Sequence, residues 1–166
     1  NASVIKYVAP APSGNASGSS VANAADFLDE KFWSEVQSAL KKDQVTVKFM
    51  SGDYVRAYTE KPLVFDKMGN AKNLLLLEGD KDNTLFTAPV GYPKKGVLID
   101  VKNSENIMIK NFRFTGNGSL GYALRITSTN GNTTKNIGVE DCTWTDMRGI
   151  IFGTTGVHQK GTSNVT

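Results

Sequence analysis

The chain has 166 residues, of which 39% are hydrophobic, so it is long and apolar enough to bury the core of one globular domain. Its formal net charge of +3, from 19 basic and 16 acidic residues, is too small and too evenly spread to indicate a nucleic-acid partner. No stretch predicts a membrane span, and the single cysteine, Cys142, excludes an internal disulfide.

The N-terminal quarter of the sequence predicts a strand, a polar loop and a helix. Residues 4–10 form a short apolar strand ended by proline, and residues 11–23 have the Gly, Ser, Ala and Asn content of a surface loop. Over residues 23–42, apolar side chains recur at every third or fourth position, which predicts an amphipathic helix with Asn23 as its N-terminal cap. Its stripe includes Phe32 and Trp33, so we expect it to pack on the remaining structure.

Short strands follow the helix. The pattern predicts strands at 45–49, 62–65 and 74–79, and no second helix pattern is found. From Gly96 onward, two kinds of strand recur at intervals of 25–30 residues. The first kind occurs at 97–101, 122–126 and 149–153, and the second at 106–114, 136–144 and, in part, 164–166. A repeat of this length, built from strands and turns, predicts a solenoid whose unequal loops protrude from its coils.

The repeat also predicts the strand register. Ile99, Leu124 and Ile150 are expected to stack inward, which places Asp100 beside Arg125 on the outward side. The same alignment places Lys110 beside Glu140 on the outward side. It stacks further pairs inward: Ile107 with Ile137, Phe112 with Cys142, Phe114 with Trp144, Ile126 with Phe152 and Tyr122 with Val97. Residues expected at strand edges, where asparagine tolerates left-handed backbone, are Asn103, Asn106, Asn130 and Asn136.

These features resemble secreted polysaccharide-degrading proteins of the pectate-lyase superfamily. The resemblance lies in the Tyr-Val-x-Pro strand, the Gly/Ser-rich loop, the helix, the hydrophobic strand followed by Gly-x-Tyr at 47–54, and the Asn-Ile-x-Ile-x-Asn coils. It implies an all-β solenoid, a right-handed parallel β-helix with an N-terminal capping α-helix. Residues 1–44 would form the strand, loop and cap of this single domain, and residues 45–166 would form its coils. The coils are expected to be incomplete at the C-terminal end, with further coils or another chain packed there.

The resemblance also implies two kinds of chemistry. Lyases of this superfamily use an arginine or lysine as the base, with calcium or a second cation stabilising the enolate, whereas hydrolases on this fold use paired carboxylates. Among basic residues, Arg113 and Arg148 have no ladder partner in the alignment. Arg148, His158 and Lys160 follow one another within one coil and could form a rim that binds an anionic sugar.

Other candidate site residues are acidic or aromatic. Asp141 and Asp146 flank one turn and could bind calcium, although bonding to turn amides is the more common role of such residues. Tyr92, in a Gly-Tyr-Pro loop, is the better candidate for a sugar-stacking platform; Tyr54 and Tyr58 are others, and Tyr122 is expected in the core. Lone Cys142 is expected to be a small core residue.

The resemblance thus implies an extracellular, periplasmic or cell-surface protein that acts on an acidic polysaccharide as a lyase or glycoside hydrolase. No complete catalytic set is present, so no catalytic residue is assigned. Two alternatives stay open: a non-catalytic, glycan-binding or adhesin-like β-helix, and an unrelated sandwich whose strands imitate repeats.

Overall fold

The structure is a computed structural model that describes residues 3–89, 96–118, 121–155 and 162–165. Short β-strands make up most of its regular structure, together with two α-helices, α1 (Glu30–Ala39) and α2 (Arg56–Thr59). In chain order the strands are β1 (Val4–Ala9), β2 (Ala25–Asp26), β3 (Val45–Phe49), β4 (Gly52–Asp53), β5 (Leu63–Asp66), β6 (Leu75–Gly79), β7 (Thr84–Thr87), β8 (Val97–Lys102), β9 (Glu105–Lys110), β10 (Arg113–Thr115), β11 (Tyr122–Thr129), β12 (Thr134–Glu140), β13 (Thr143–Thr145), β14 (Arg148–Thr155) and β15 (Thr162–Val165). Neither helix in these ranges has the length and apolar character that a membrane crossing requires.

Three parallel sheets contain these strands. Sheet A has seven strands in the order β15-β12-β9-β6-β3-β1-β2, sheet B has four in the order β13-β10-β7-β4, and sheet C has four in the order β14-β11-β8-β5. From β3 onward, consecutive strands enter sheets A, B and C in rotation, and from β6 onward each strand therefore pairs with the strand three places earlier. The fold is therefore mostly β and parallel, as the repeat predicts.

The predicted register is confirmed in sheet C. Leu124 pairs with Ile99 on one side and with Ile150 on the other. The outward neighbours then meet, because Arg125 donates from Nε to Asp100 Oδ1 at 3.2 Å and from Nη2 to Asp100 Oδ2 at 2.6 Å. This hydrogen bonding raises the pKa of the Arg125 guanidinium above its ordinary value. The pair covers Asp100, which is only 4% exposed although it lies on the outward side of the strand.

Sheet A confirms the second repeat. Ile137 pairs with Ile107 and, on its other side, with Val165 of the predicted third copy. The predicted neighbours Lys110 and Glu140 form an ion pair at 3.8 Å. An alignment made on apolar residues therefore places charged residues correctly, because adjacent parallel strands share one alternation of inward and outward side chains.

Left-handed backbone occurs near the strand edges, at the positions where asparagine was expected. Asn103, Asn106, Asn130 and Asn136 have φ values between 52° and 60°. Four further Asn or Asp residues share this conformation: Asn111, Asn117, Asp141 and Asp146. Short polar side chains tolerate this region better than other non-glycine residues, so they allow the chain to bend sharply from one sheet to the next.

The core between the sheets is rich in aromatic side chains. Phe86 on β7 is completely buried and stacks on Tyr54 and Phe112, with ring centroids 4.8 and 5.4 Å apart. Phe114 on β10 lies 5.5 Å from the same ring. This cluster fills the interior behind sheet B and holds β7 and β10, two strands of that sheet, in place.

The N-terminal helix is shorter than predicted. Asp29, not Asn23, caps α1 by accepting from the Lys31 amide, and the residues before it form β2 and a turn. Asn23 instead accepts from the Asn15 amide, so its side chain holds the polar loop. The apolar pattern continues upstream of the helix because Phe27, which lies in an irregular segment before it, is also buried in the core. The sequence pattern also failed to predict α2, a single helical turn at Arg56–Thr59.

Three aromatic residues differ from their predicted burial. Trp144 pairs with Phe114 as expected, but its side chain is 40% exposed, and Phe152 is 54% exposed. Their strands, β13 and β14, are the last of sheets B and C within the described ranges, so one side of each ring lacks a neighbouring strand. Tyr122 pairs with Val97 but is only half-buried. Its hydroxyl accepts a hydrogen bond from the exposed side chain of Arg148.

Candidate functional site

A polar groove of about 750 Å³ runs along the outer face of sheet B. Its volume lies within the range of small-molecule binding sites, but it is open to solvent and lacks their apolar walls. Two strands and three turns contribute its side chains, which are all polar or charged. They are Lys81, Asp82, Asn111, Arg113, Asp141, Thr143 and Thr145.

The parallel register places the strand residues of the groove. Arg113 on β10 pairs with Thr143 on β13, so both side chains point outward at the same level. Thr145 pairs with Thr115, two residues further along the strands and on the same outward side. Between these outward positions, Phe114 points inward onto the aromatic core, and this anchors the floor of the groove.

The turns before β10 and β13 bring Asn111 and Asp141 to the same end of the groove. Both have left-handed backbone, with φ values of 62° and 53°. The Asn111 amide donates to the Glu140 carbonyl at 3.2 Å, which locks the two turns together. Gly79, at the end of β6, lies against the Asn111 turn, and a Cβ at this position would overlap the Asn111 carbonyl oxygen. Only glycine allows this turn to approach β6 so closely.

The groove contains two cations, Lys81 and Arg113, and two carboxylates, Asp82 and Asp141. None of these four side chains forms an ion pair with another residue in the described part of the chain. Arg113 Nη1 donates to the Asp82 carbonyl at 3.3 Å, and this is the hydrogen bond that orients the guanidinium. The remaining donors of Arg113 therefore face a solvent-filled groove in which opposite charges are separated.

Among the predicted site residues that the structure describes, only two are brought together in the groove. Arg113 and Asp141 line the groove, whereas Arg148 and Asp146 are not part of its lining. The Arg148 guanidinium lies 4.2 Å from the centre of the Tyr122 ring and donates to its hydroxyl at 2.9 Å. Arg148 thus has a partner that the alignment did not assign. Asp146 has left-handed backbone, and its carbonyl accepts from the Gly118 amide.

Three predicted site residues, Tyr92, His158 and Lys160, lie outside the described residues. Tyr54 is described and is not a sugar platform, because its ring is fully buried and its hydroxyl donates to the Met50 carbonyl at 2.7 Å. Burial raises the pKa of Tyr54 far above its ordinary value.

The calcium prediction gains no support from the described residues. Asp141 and Asp146 do not share a groove, and no group of three or more His, Cys, Asp or Glu side chains in these ranges is placed to hold a metal. Calcium takes six to eight oxygen ligands, so we assign no chemical step to it.

Cys142 packs against the core, as the sequence predicts, and is partly buried there. Its thiol donates to the Glu140 carbonyl at 3.4 Å. Burial is the main cause that raises the pKa of the Cys142 thiol, so little of it is thiolate at neutral pH.

Sequence reasoning missed Lys81, Asp82, Asn111, Thr143 and Thr145 as site residues. The repeat contained the signal for Thr143, because it aligns with Arg113 in the second kind of strand. No comparable signal marks Lys81 and Asp82, which follow β6 in a single 3-10 turn. Their place in the groove depends on how this turn sits beside β10.

Comparisons with protein-family models, with curated proteins and with solved structures find no match to this chain. The groove and the sheets around it are therefore the basis for a functional conclusion.

Proposed function

We propose that this chain forms coils of a right-handed parallel β-helix and binds an acidic polysaccharide in the groove on sheet B. The rotation of consecutive strands through three parallel sheets supports the β-helix, as do the stacked asparagine turns. Such a fold can present a long, flat outer face on which an extended polymer lies.

The observation that carries the proposal is the lining of the groove. Hydroxyl, amide, carboxylate and cationic groups project into one open channel, and none of its charged groups is consumed by an ion pair among the described residues. A polysaccharide offers many hydroxyl groups that donate and accept hydrogen bonds. An open channel also admits a polymer along its length, which a closed pocket would not.

Arg113 is the proposed anchor for a sugar carboxylate. Its planar guanidinium can donate two parallel hydrogen bonds to one carboxylate, which favours a uronate over a neutral sugar. Lys81 contributes a second positive charge to the same groove. Asn111 and Thr143 lie beside Arg113 and can bind the neighbouring hydroxyl groups.

Catalysis is the second candidate function, and the two groove carboxylates favour it. Asp82 and Asp141 come from different turns and face the same channel as Arg113. Paired carboxylates would serve a hydrolase, whereas Arg113 or Lys81 as base would serve a lyase. Either activity would place the protein outside the cytoplasm, where polysaccharides are encountered.

Binding can be tested by calorimetry with polygalacturonate and a neutral polysaccharide of similar length. We expect preference for the uronate, and we expect Arg113→Ala to weaken binding about tenfold to a hundredfold, the loss for charge-assisted hydrogen bonds. Lys135→Ala is the matched control, because it removes an equal charge from an ion pair on sheet A. Equal losses for the two variants, or no uronate preference, would contradict the assignment of the site.

Turnover is measured separately on the same polymers. A lyase would release unsaturated products that absorb ultraviolet light, and a hydrolase would release reducing ends without that absorbance. Binding without either product would leave a glycan-binding protein as the function.

A further inference from the structure

The sequence contains two Asn-Gly dipeptides, Asn117-Gly118 and Asn130-Gly131. This dipeptide can react with itself, because glycine has no side chain to shield its amide nitrogen. The Gly nitrogen attacks the Asn Cγ, a new N–C bond forms, and the side-chain amide leaves as ammonia. Water then opens the resulting succinimide to aspartate or isoaspartate.

Asn117-Gly118 is held by two hydrogen bonds that oppose this reaction. The Asn117 side-chain amide donates to the Ala88 carbonyl at 2.7 Å. The Gly118 amide, which would be the nucleophile, donates to the Asp146 carbonyl at 3.0 Å. Both the electrophilic group and the nucleophile must break a hydrogen bond before they can meet.

Asn130-Gly131 occupies the turn that joins β11 to β12. Both residues have positive φ, 52° and 79°, and the Asn132 amide donates across the turn to the Thr129 carbonyl at 3.0 Å. This is the geometry of a type I′ turn, for which Asn-Gly is the preferred sequence. Asn132 also binds that carbonyl through its side chain, at 2.9 Å. The turn is therefore closed by groups outside the dipeptide.

No hydrogen bond to another described residue holds the reacting groups of Asn130-Gly131, which are the Asn130 side chain and the Gly131 main-chain amide. Asn130 is also exposed. We infer that Asn130 is a site of spontaneous deamidation in the folded protein, with water as the co-reactant, and that Asn117 is protected. This inference is independent of the proposed function.

The product would alter the turn chemically. Conversion to aspartate adds one negative charge, and conversion to isoaspartate adds a methylene group to the main chain between β11 and β12. Thr129, directly before the dipeptide, is fixed at its amide by Asn103 Oδ1 at 2.8 Å. The longer main chain must therefore be absorbed on the β12 side of the turn.

The experiment incubates the whole protein at mildly alkaline pH and follows the mass increase of each tryptic peptide. Trypsin separates the two sites, since cleavage after Arg113, Arg125 and Lys135 places them on peptides 114–125 and 126–135. Peptide 126–135 contains both Asn130 and Asn132, and its fragmentation in the mass spectrometer shows which of the two has reacted. Two ordinary hydrogen bonds correspond to a factor of about 30 in rate, so we expect Asn117 to react about 30-fold more slowly than Asn130.

The same incubation in concentrated urea is the matched control. There both dipeptides lose their structure, and their rates should become comparable. Asn130→Asp supplies the aspartate form of the product as a standard, and it should abolish the mass increase at that position. Equal rates in the folded protein, faster reaction at Asn117, or a rate difference that persists in urea would overturn the inference.

Discussion

Replacement of Phe86 by alanine tests the packing behind the groove. Phe86 is fully buried, and its ring lies within 6 Å of the rings of Tyr54, Phe112 and Phe114. Truncation of a buried phenylalanine removes its apolar burial and leaves a cavity, which together cost about 3–5 kcal/mol. Three close aromatic contacts place the expected loss above the lower limit of this range, at about 4 kcal/mol.

Urea denaturation followed by circular dichroism measures this loss in the free energy of unfolding. Phe152→Ala is the matched control, because Phe152 is 54% exposed and its truncation should cost at most about 0.5 kcal/mol. If Phe86→Ala does not fold, Phe86→Leu retains most of the volume and should lose about 1–2 kcal/mol. A loss below about 1 kcal/mol for Phe86→Ala, or equal losses at the two positions, would refute the assigned packing.

Three further predictions concern the close contacts and charges of the sheets. Gly79→Ala forces a Cβ into a main-chain carbonyl of the turn before β10 and should cost about 1–3 kcal/mol in urea denaturation, whereas Gly153→Ala makes only an ordinary 3.7 Å contact and should be nearly neutral. Arg125→Ala leaves a nearly buried carboxylate on β8 unpaired and should cost about 2 kcal/mol, while Lys110→Ala, from a solvent-exposed pair, should cost at most about 0.5 kcal/mol. Burial raises the pKa of Tyr54 above its ordinary value of 10.0, so the folded protein keeps this proton while the unfolded chain releases it. Stability is therefore complete below about pH 10 and should fall as the pH rises further, a slope in Tm that Tyr54→Phe should reduce.

Each of these comparisons has an outcome that would contradict it. If Gly153→Ala destabilises as much as Gly79→Ala, the loss is general to glycine replacement in these strands. Equal losses at Arg125 and Lys110 would mean that burial of the partner carboxylate has no energetic consequence. A Tyr54→Phe variant with an unchanged alkaline slope would show that other groups produce it.

The repeat carried most of the fold prediction. Apolar residues 25–30 positions apart determined which strands pair and in what register, and the Asp100–Arg125 contact followed without further information. Asparagine at the strand edges predicted the left-handed turns because few other side chains tolerate that backbone. These features are local or periodic, so they can be read from one sequence.

The helix boundary could not be read in this way. Phe27 continues the apolar period of α1, yet it reaches the core from an irregular segment before the helix cap at Asp29. Periodicity records which residues are buried, whereas the hydrogen bonds of the main chain decide where the helix begins. The inward prediction for Trp144 and Phe152 was similarly correct in register but wrong in burial, because burial requires a covering neighbour.

The sequence alone determined the class of this protein: parallel strands that recur at intervals of 25–30 residues, with left-handed asparagine positions near the strand edges. Only the tertiary structure decided which side chains share the candidate site. It joined Arg113 and Asp141 to Lys81 and Asp82, and it separated them from Arg148. The physical reason is that register along a sheet follows from alternation in the sequence, whereas the approach of turns from different strands depends on how the three sheets pack in the tertiary structure.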